Sequence, residues 1–166
     1  MTEEARLIAA ADRLEIAEQL YTYCRAVDRI DEALGYSVFH EGAIADYGRI
    51  YQGDARGLID FICASHRQAI VHSHQVTNII VELDGGSAKS EAYITSAMRL
   101  MHEGALKQIT TRGRYLDVWA HRDGRWAIER RMYVHDLDEI REVTPAFTPP
   151  RFALDRSDPS YDWLGW

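Results

Sequence analysis

The sequence is poor in the residues and runs that mark several specialised classes of protein. Its 166 residues include only two cysteines and four prolines, and all four prolines lie after residue 144. Cys24 and Cys63 lie in apolar helical contexts without metal-ligand spacing, which indicates buried free thiols in a reducing compartment. No apolar run reaches the length of a membrane span, and the first residues do not resemble a signal peptide. We therefore expect a cytoplasmic protein.

Positive charge is also scarce. The formal net charge is −7, and no basic block offsets it, so we expect neither a nucleic acid nor an anionic membrane as partner. The glycines fall in predicted turns, and none forms a phosphate-binding loop. The length suits one domain with a sizeable core.

The pattern predicts helices first and strands afterwards. A long helix is expected over residues 3–30, with a break near 9–10, and Asp31 precedes a short helix that ends at Gly35. Residues 42–51 indicate a strand or small hairpin. Asp54 is the predicted cap of a third helix.

From Val71 the apolar period changes to two. Four strands are expected, over residues 71–84, 88–101, 106–120 and 125–137, separated by glycine-containing turns. Helices followed by an antiparallel meander make an α+β domain, which we place at residues 1–143.

Residues 144–166 form a C-terminal extension, not a separate domain. The prolines argue against regular structure there, but the extension is too aromatic for a disordered tail. We expect it to lie across the barrel mouth or a neighbouring subunit, and purely local packing is an equal alternative. The prolines are Pro145, Pro149, Pro150 and Pro159, and the aromatic residues are Phe147, Phe152, Tyr161, Trp163 and Trp166.

The most informative stretch is the end of the first helix. Its apolar residues recur every three or four positions, so Asp28 lies on or beside the buried face. A carboxylate carried inward is costly unless it is paired or used, and His74 is the partner that we predict. Alternatively, Asp28 caps the next turn and His74 is an ordinary strand histidine. The apolar positions are Leu14, Ala17, Leu20, Tyr21, Cys24 and Val27.

Three segments carry a resemblance over residues 8–138: 23–28, 74–78 and 122–126. Their order is similar to that in the nuclear transport factor 2-like superfamily, within it the SnoaL-like group. That group includes hexachlorocyclohexane dehydrochlorinase, scytalone dehydratase and bile acid 7α-dehydratase. The resemblance implies a cystatin-like α+β barrel, in which a cone-shaped, curved antiparallel sheet wraps around the long helix and encloses an apolar cavity.

The resemblance also implies a catalytic pair. In these enzymes an aspartate near the helix end orients a histidine on the first long strand, which acts as the general base, and those positions match Asp28 and His74. The family asparagine four residues after the histidine matches Asn78, a predicted substrate contact. His72 shares strand parity with His74 and is expected nearer the cavity rim.

The remaining site residues are predicted from the same resemblance and from strand parity. Tyr23 matches a catalytic tyrosine of the 7α-dehydratase; the dehydrochlorinase has lysine there, so halide elimination is less expected. Arg131 matches an arginine of the dehydrochlorinase, with an interface salt bridge as the alternative, whereas the 7α-dehydratase arginine falls at His135. Tyr133 and His135 share the strand face of Arg131 and are expected to contact substrate. Tyr47 is a further substrate-binding candidate.

These residues suit elimination. Histidine is a base near neutrality with little tuning, and Tyr23, Tyr47 or Arg131 could meet a departing oxygen. We expect a cofactor-independent lyase, cleaving a carbon–oxygen or carbon–carbon bond of a small hydrophobic, aromatic or alicyclic hydroxylated substrate. His72 and His74 could in principle bind a metal, but no spacing demands one and none is expected.

Two other functions stay open. One is a non-catalytic ligand-binding protein or a β-type subunit of an aromatic-ring dioxygenase, and the other is an isomerase. The resemblance to dehydratases also implies a homo-oligomer, with a trimer favoured over a dimer.

Overall fold

The computed structural model describes residues 2–145 and 152–165. Four helices and six strands occur in it. The helices are α1 (Glu3–Asp28), α2 (Glu32–Ser37), α3 (Ala55–His66) and α4 (Pro159–Leu164). The strands are β1 (Phe39–Asp46), β2 (Gln52–Asp54), β3 (Val71–Asp84), β4 (Ser87–His102), β5 (Ala105–Arg122) and β6 (Arg125–Glu142).

The strands form one sheet in the order β2-β1-β6-β5-β4-β3. The long strands β3 to β6 pair antiparallel as a meander, as predicted. β1 pairs parallel to β6, so the sheet is mixed and not wholly antiparallel. The predicted α+β class, with a curved sheet and a long N-terminal helix, is confirmed.

The sheet bends where the strand pairing shifts register. One shift in β3 lies between Thr77 and Ile80, and Asn78 within it has φ 48°. Another lies in the pairing of β5 with β6 at Gly113, where a Cβ would lie 2.4 Å from the carbonyl oxygen of Val134. Because that distance is too short for any side chain, Gly113 allows the two backbones to approach closely.

Helix α1 is continuous through Ala9 and packs on the sheet. Its buried line is Ile16, Leu20, Tyr23 and Val27, at spacings of four, three and four. The predicted apolar face was partly wrong, because Leu14 and Tyr21 are 59% and 52% exposed. Two overlapping apolar stripes run along this helix, and the position of the sheet decides which one is buried.

Helix α2 continues through Gly35, which the sequence placed at its end. A Cβ at Gly35 would lie 2.9 Å from Ile59 of α3, so this glycine allows two helices to pack closely. The hairpin prediction is confirmed by the antiparallel pairing of β1 with β2. Asp54 caps α3 by accepting a hydrogen bond from the backbone N–H of Gly57 at 2.8 Å.

The C-terminal extension contains regular structure, contrary to expectation. Pro159 occupies the first turn of α4, where no N–H donor is needed, and Asp158 caps the helix. Tyr161 is buried and donates a hydrogen bond to Asp31 at 3.0 Å, while Asp158 forms an ion pair with Arg29 at 3.3 Å. The extension therefore packs on its own chain, against the turn that follows α1.

Phe152 is half-buried and Trp163 is 89% exposed. Phe147 and Trp166 lie outside the described residues. Within residues 2–145 and 152–165, no helix is both long and apolar enough to cross a membrane.

Candidate active site

The last residue of α1 and the fourth residue of β3 form the centre of the site. The ring Nδ1 of His74 lies 2.7 Å from Oδ1 of Asp28, and the backbone N–H of His74 donates to Oδ2 at 3.1 Å. The predicted contact between these two residues is confirmed. Both carboxylate oxygens bind the same residue, so neither side chain can turn away without losing a hydrogen bond.

A sharp turn ends α1 directly after Asp28. The N–H of Asp31 donates to the carbonyl of Ala26 at 2.9 Å, and Ile30 has φ 51°. This closure normally uses glycine, because a β-branched residue is strained in the left-handed region. The strained turn fixes the point at which α1 stops and therefore the position of Asp28.

The tautomer of His74 follows from its partner. An ionised carboxylate only accepts hydrogen bonds, so Nδ1 of His74 carries the proton that it donates to Asp28. Nε2 of His74 is then left with its lone pair. His74 is among the residues that line a cavity of about 190 Å³.

The cavity wall is uncharged and largely aromatic. Its polar members besides the histidines are tyrosine, serine and threonine side chains. Its other members are isoleucines. The lining consists of Tyr23, Tyr47, Tyr115, Tyr133, Ser96, Thr111, Ile50, Ile62, Ile94, His66 and His74.

Two tyrosine hydroxyls meet in the wall. The hydroxyls of Tyr23 and Tyr47 lie 3.0 Å apart, and the ring of Tyr47 stacks on that of Tyr133 at 5.2 Å. Burial raises the pKa of Tyr23 and raises the pKa of Tyr47 well above its usual value. Both hydroxyls therefore keep their protons and can donate hydrogen bonds.

Arg131 lies behind this wall, and it is not among the residues that line the cavity. It is fully buried and donates two hydrogen bonds, each of 2.8 Å, to Asp117. Its guanidinium lies 4.3 Å from the ring centre of Tyr23 and 4.0 Å from that of Tyr115. Burial works against the charged form, but Asp117 outweighs it, so the pKa of Arg131 is raised well above its usual value. Arg131 supports the tyrosines, and its ion pair is internal to the chain.

Tyr133 is the one other predicted substrate contact, besides Tyr47, that the structure places in the cavity wall. His135 is exposed, with Nε2 3.5 Å from Asp138, because β6 extends past the cavity at that point. Asn78 is also exposed, and its positive φ places it in the bulge of β3. Neither side chain is among the lining residues.

His72 is not at the rim. It is buried, and its Nε2 donates to the backbone carbonyl of Val27 at 3.0 Å. The parity prediction was right that it points inward, but the ring lies behind the cavity wall. Burial lowers the pKa of His72, so the ring is neutral.

Two buried polar residues were missed. His66, at the end of α3, lines the cavity, and Asp117 on β5 balances Arg131. His66 continues the buried positions Ile59 and Cys63 at helical spacing, so the signal for it was present. In residues 2–145 and 152–165, no group of three or more His, Cys, Asp or Glu side chains is arranged to hold a metal ion.

Residues 9–132 match the family described as the SnoaL-like domain. This match covers three-quarters of the chain and includes Asp28, His74 and Arg131. A comparison with curated proteins gave no match.

Three solved structures illustrate the fold. A protein of Novosphingobium aromaticivorans assigned as a scytalone dehydratase is 16% identical, with a TM-score of 0.70 over 90% of this chain and 100% of that one. The dehydrochlorinase LinA-type3 of Novosphingobium barchaimii is 18% identical, with a TM-score of 0.69 over 90% and 100%. A protein of N. aromaticivorans assigned as the beta subunit of an aromatic-ring-hydroxylating dioxygenase is 14% identical, with a TM-score of 0.64 over 78% and 92%. At these identities the likeness establishes the fold alone.

Proposed function

We propose that this chain, which belongs to the family of SnoaL-like domains, is a cofactor-independent lyase. It would eliminate water from a hydroxylated aromatic or alicyclic molecule. The observation that carries the proposal is the hydrogen bond between His74 and Asp28, with His74 in the wall of the cavity. That pair supplies an oriented base, which elimination requires.

His74 would begin the reaction. Its Nε2 takes a proton from a substrate carbon, and the electron pair of the C–H bond becomes the new double bond as the neighbouring C–O bond breaks. Asp28 stabilises the imidazolium that forms. Proton transfer of this kind typically contributes ~10²–10⁴-fold in rate.

The Tyr23 and Tyr47 hydroxyls would complete the reaction. One of them donates a proton to the departing oxygen, which leaves as water, and the proton held by His74 then returns to the tyrosine pair. Arg131, behind Tyr23, favours the transient negative charge on this pair. The residues therefore end the cycle in the protonation states in which they began it.

The cavity restricts the substrate. Its volume of about 190 Å³ is below the ~300–1,000 Å³ of sites for drug-sized ligands, so a molecule of one ring fits best. Because no Lys, Arg, Asp or Glu is among the lining residues, a charged substrate would lose its hydration without gaining a counter-ion. We propose a neutral substrate.

The test is a panel of neutral, hydroxylated single-ring compounds incubated with the protein in D₂O. Loss of water is followed by mass spectrometry, and exchange of carbon-bound hydrogen by proton NMR. We expect at least one compound to react or exchange with the native protein and not with His74→Ala. Binding without exchange by any member would contradict the lyase and support a ligand-binding protein.

We further propose a cytoplasmic homo-oligomer, with a trimer favoured, in which residues 144–166 extend the same domain. Support for the compartment comes from Cys24 and Cys63, which are buried free thiols. Exposed apolar side chains support the assembly.

A further inference from the structure

His66 is a second histidine of the cavity, and it comes from the end of α3 rather than from the sheet. Its side chain lines the cavity together with His74. The centres of these two rings are 5.1 Å apart, and the centre of the His72 ring lies 4.2 Å from that of His66. His66 is 6% exposed, so its ring has little freedom to move away from this position.

The hydrogen bonds of His66 fix its tautomer. Its Nδ1 lies 3.3 Å from the backbone carbonyl oxygen of Val27, and a carbonyl can only accept, so the proton resides on Nδ1. Nε2 therefore has a lone pair, and no residue in the ranges 2–145 and 152–165 donates a hydrogen bond to it. The cavity is the side from which a donor can reach the ring.

His66 also differs from His74 in charge behaviour. Burial, with help from the neighbouring His74 and His72, lowers the pKa of His66 to about 3. The ring stays neutral while His74 takes up a proton during turnover. A neutral, weakly basic nitrogen cannot compete for that proton, but it still accepts hydrogen bonds.

The carbonyl of Val27 does not depend on His66 for a hydrogen bond. His72 already donates to the carbonyl of Val27, at the shorter distance of 3.0 Å. The same carbonyl is therefore satisfied without His66. Nε2 of His66, by contrast, has no donor among the described residues, although the ring lines the cavity.

We propose that His66 determines specificity by accepting a hydrogen bond at Nε2 from a substrate hydroxyl that stays on the product. That hydroxyl is distinct from the leaving oxygen, which the tyrosine pair meets. It lies near the carbon that His74 deprotonates, since the two rings are neighbours in the wall. The substrate class is accordingly a single-ring compound with at least two oxygens, one of them a free hydroxyl. This inference rests on the proposed function only in taking this cavity as the substrate site.

The experiment compares binding of phenol and of anisole to the full chain by isothermal titration calorimetry. The two probes share a ring and an oxygen, but only phenol donates a hydrogen bond. We expect His66→Phe to weaken phenol binding roughly two- to tenfold, the effect of one neutral hydrogen bond, and to leave anisole binding unchanged. His66→Gln places an oxygen acceptor near the former Nε2 and should keep phenol affinity within about twofold.

A second measurement does not depend on variants. In protein carrying ¹⁵N-histidine, the Nε2 signal of His66 should show an unprotonated nitrogen and should shift when phenol binds, but not when anisole binds. Equal losses for both probes in His66→Phe, an equal loss in His66→Gln, or an unmoved Nε2 signal would overturn the proposal. So would failure of the native protein to bind phenol.

Neither assay requires turnover. Loss of the phenol preference with intact His74-dependent exchange would therefore remove His66 and leave the lyase standing. A phenol preference that depends on His66, without any hydrogen exchange, would support the role of His66 in binding and contradict the lyase.

Discussion

Asp28 holds His74 at two points, through the ring Nδ1 at 2.7 Å and through the backbone N–H at 3.1 Å. The backbone bond fixes the carboxylate to β3, and the ring bond fixes the imidazole to the carboxylate. Orientation and tautomer of the base are consequently set by one side chain.

Asp28→Asn should therefore impair turnover without unfolding the protein. The amide oxygen can still accept from the backbone of His74, but the amide N–H₂ then faces Nδ1 and drives the ring proton to Nε2, where the lone pair is needed. We expect kcat to fall on the order of 10³–10⁴-fold. The measurement is turnover of a substrate found in the panel, with circular dichroism as the check on folding.

His74→Ala removes the base and should abolish turnover while the circular dichroism spectrum is retained. The matched controls are His102→Ala and His121→Ala, whose side chains are exposed and which should keep native rates. If His74→Ala instead loses its fold, judged by circular dichroism and size exclusion, His74 is a structural residue.

The ion pair of Arg131 with Asp117 is a second target, because both side chains are fully buried. Removing one partner leaves a buried charge alone, so Asp117→Asn or Arg131→Met should lower the free energy of unfolding by ~3–5 kcal/mol. The double variant should recover much of that loss. Urea unfolding measures both effects.

The control for this pair is Arg114→Met, which removes ion pairs near the surface and should have little effect. If Asp117→Asn is as mild as Arg114→Met, water reaches Arg131 and the pair does not support the tyrosine wall as described.

Most elements up to residue 143 could be predicted because each carries its own local signal, whereas α4 was missed. The change from helical to alternating period at Val71, the caps and the glycine turns gave the order and approximate bounds of the elements. The parallel pairing of β1 with β6 had no such signal, since it joins residues as far apart as Phe39 and Ile128. Leu14 was likewise misplaced, because the helix offers two apolar stripes and only tertiary packing chooses between them.

For the site, the apolar spacing of the first helix placed Asp28 on or beside its buried face, and the family resemblance supplied the roles of Asp28, His74 and Tyr23. The prediction that His135 contacts substrate was wrong. His135 lies on β6 beyond the end of the cavity, although it alternates with Tyr133 as expected. His66 continues the buried face of α3 at helical spacing, but that spacing does not show that α3 ends beside His74, so its place in the cavity was missed. The residue type of Arg131 did not indicate that it lies behind the cavity wall rather than among the residues that line the cavity.

The buried histidines predict a loss of stability in mild acid. Burial lowers the pKa of His66 to about 3, whereas the same histidine in the unfolded chain has its ordinary pKa near 6.5. The unfolded chain thus binds the extra proton as the pH falls below ~6.5, and unfolding becomes easier down to about pH 3. Each such histidine contributes a slope of ~1.4 kcal/mol per pH unit inside that window.

The check is urea unfolding at pH 7, 6 and 5 for the native chain and for His66→Gln, which cannot take up that proton. We expect a shallower decline for the variant. His102→Gln, at an exposed position, serves as the comparison. Identical slopes in the native chain and His66→Gln would mean that His66 is protonated in the folded protein.

The C-terminal extension is predicted to support the site from outside. Tyr161 bonds Asp31, and Arg29 pairs with Asp158, so both contacts fall on the strained turn after Asp28. Truncation after Val143 should lower the melting temperature and reduce turnover, because the turn then loses its hydrogen bond to Tyr161 and its ion pair with Asp158. Trp163→Ala, at a fully solvated position, is the control and should behave as the native chain. Unchanged melting and turnover in the truncated protein would make the extension dispensable.

The last prediction is self-association through the far end of the sheet. Met101, Leu137 and Ile140 are 58%, 51% and 56% exposed, at the end of β4 and in the last third of β6. The strand pairing puts Leu137 opposite Arg112 and Ile140 opposite Ile109, an odd number of residues apart, so both faces of the sheet carry exposed apolar groups. Each face of this end of the sheet therefore carries apolar side chains that a contact between copies would cover.

We expect light scattering to give about three times the chain mass for the native protein and a lower mass for the double variant Leu137→Asp, Ile140→Asp. Two carboxylates buried in a contact between copies would be strongly unfavourable, whereas in a monomer they would simply face water. Leu14→Asp is the matched control, because Leu14 is equally exposed on α1. A native mass of one chain would refute the assembly. Dissociation by Leu14→Asp, without dissociation by the double variant, would indicate that the copies meet through α1 rather than through the sheet.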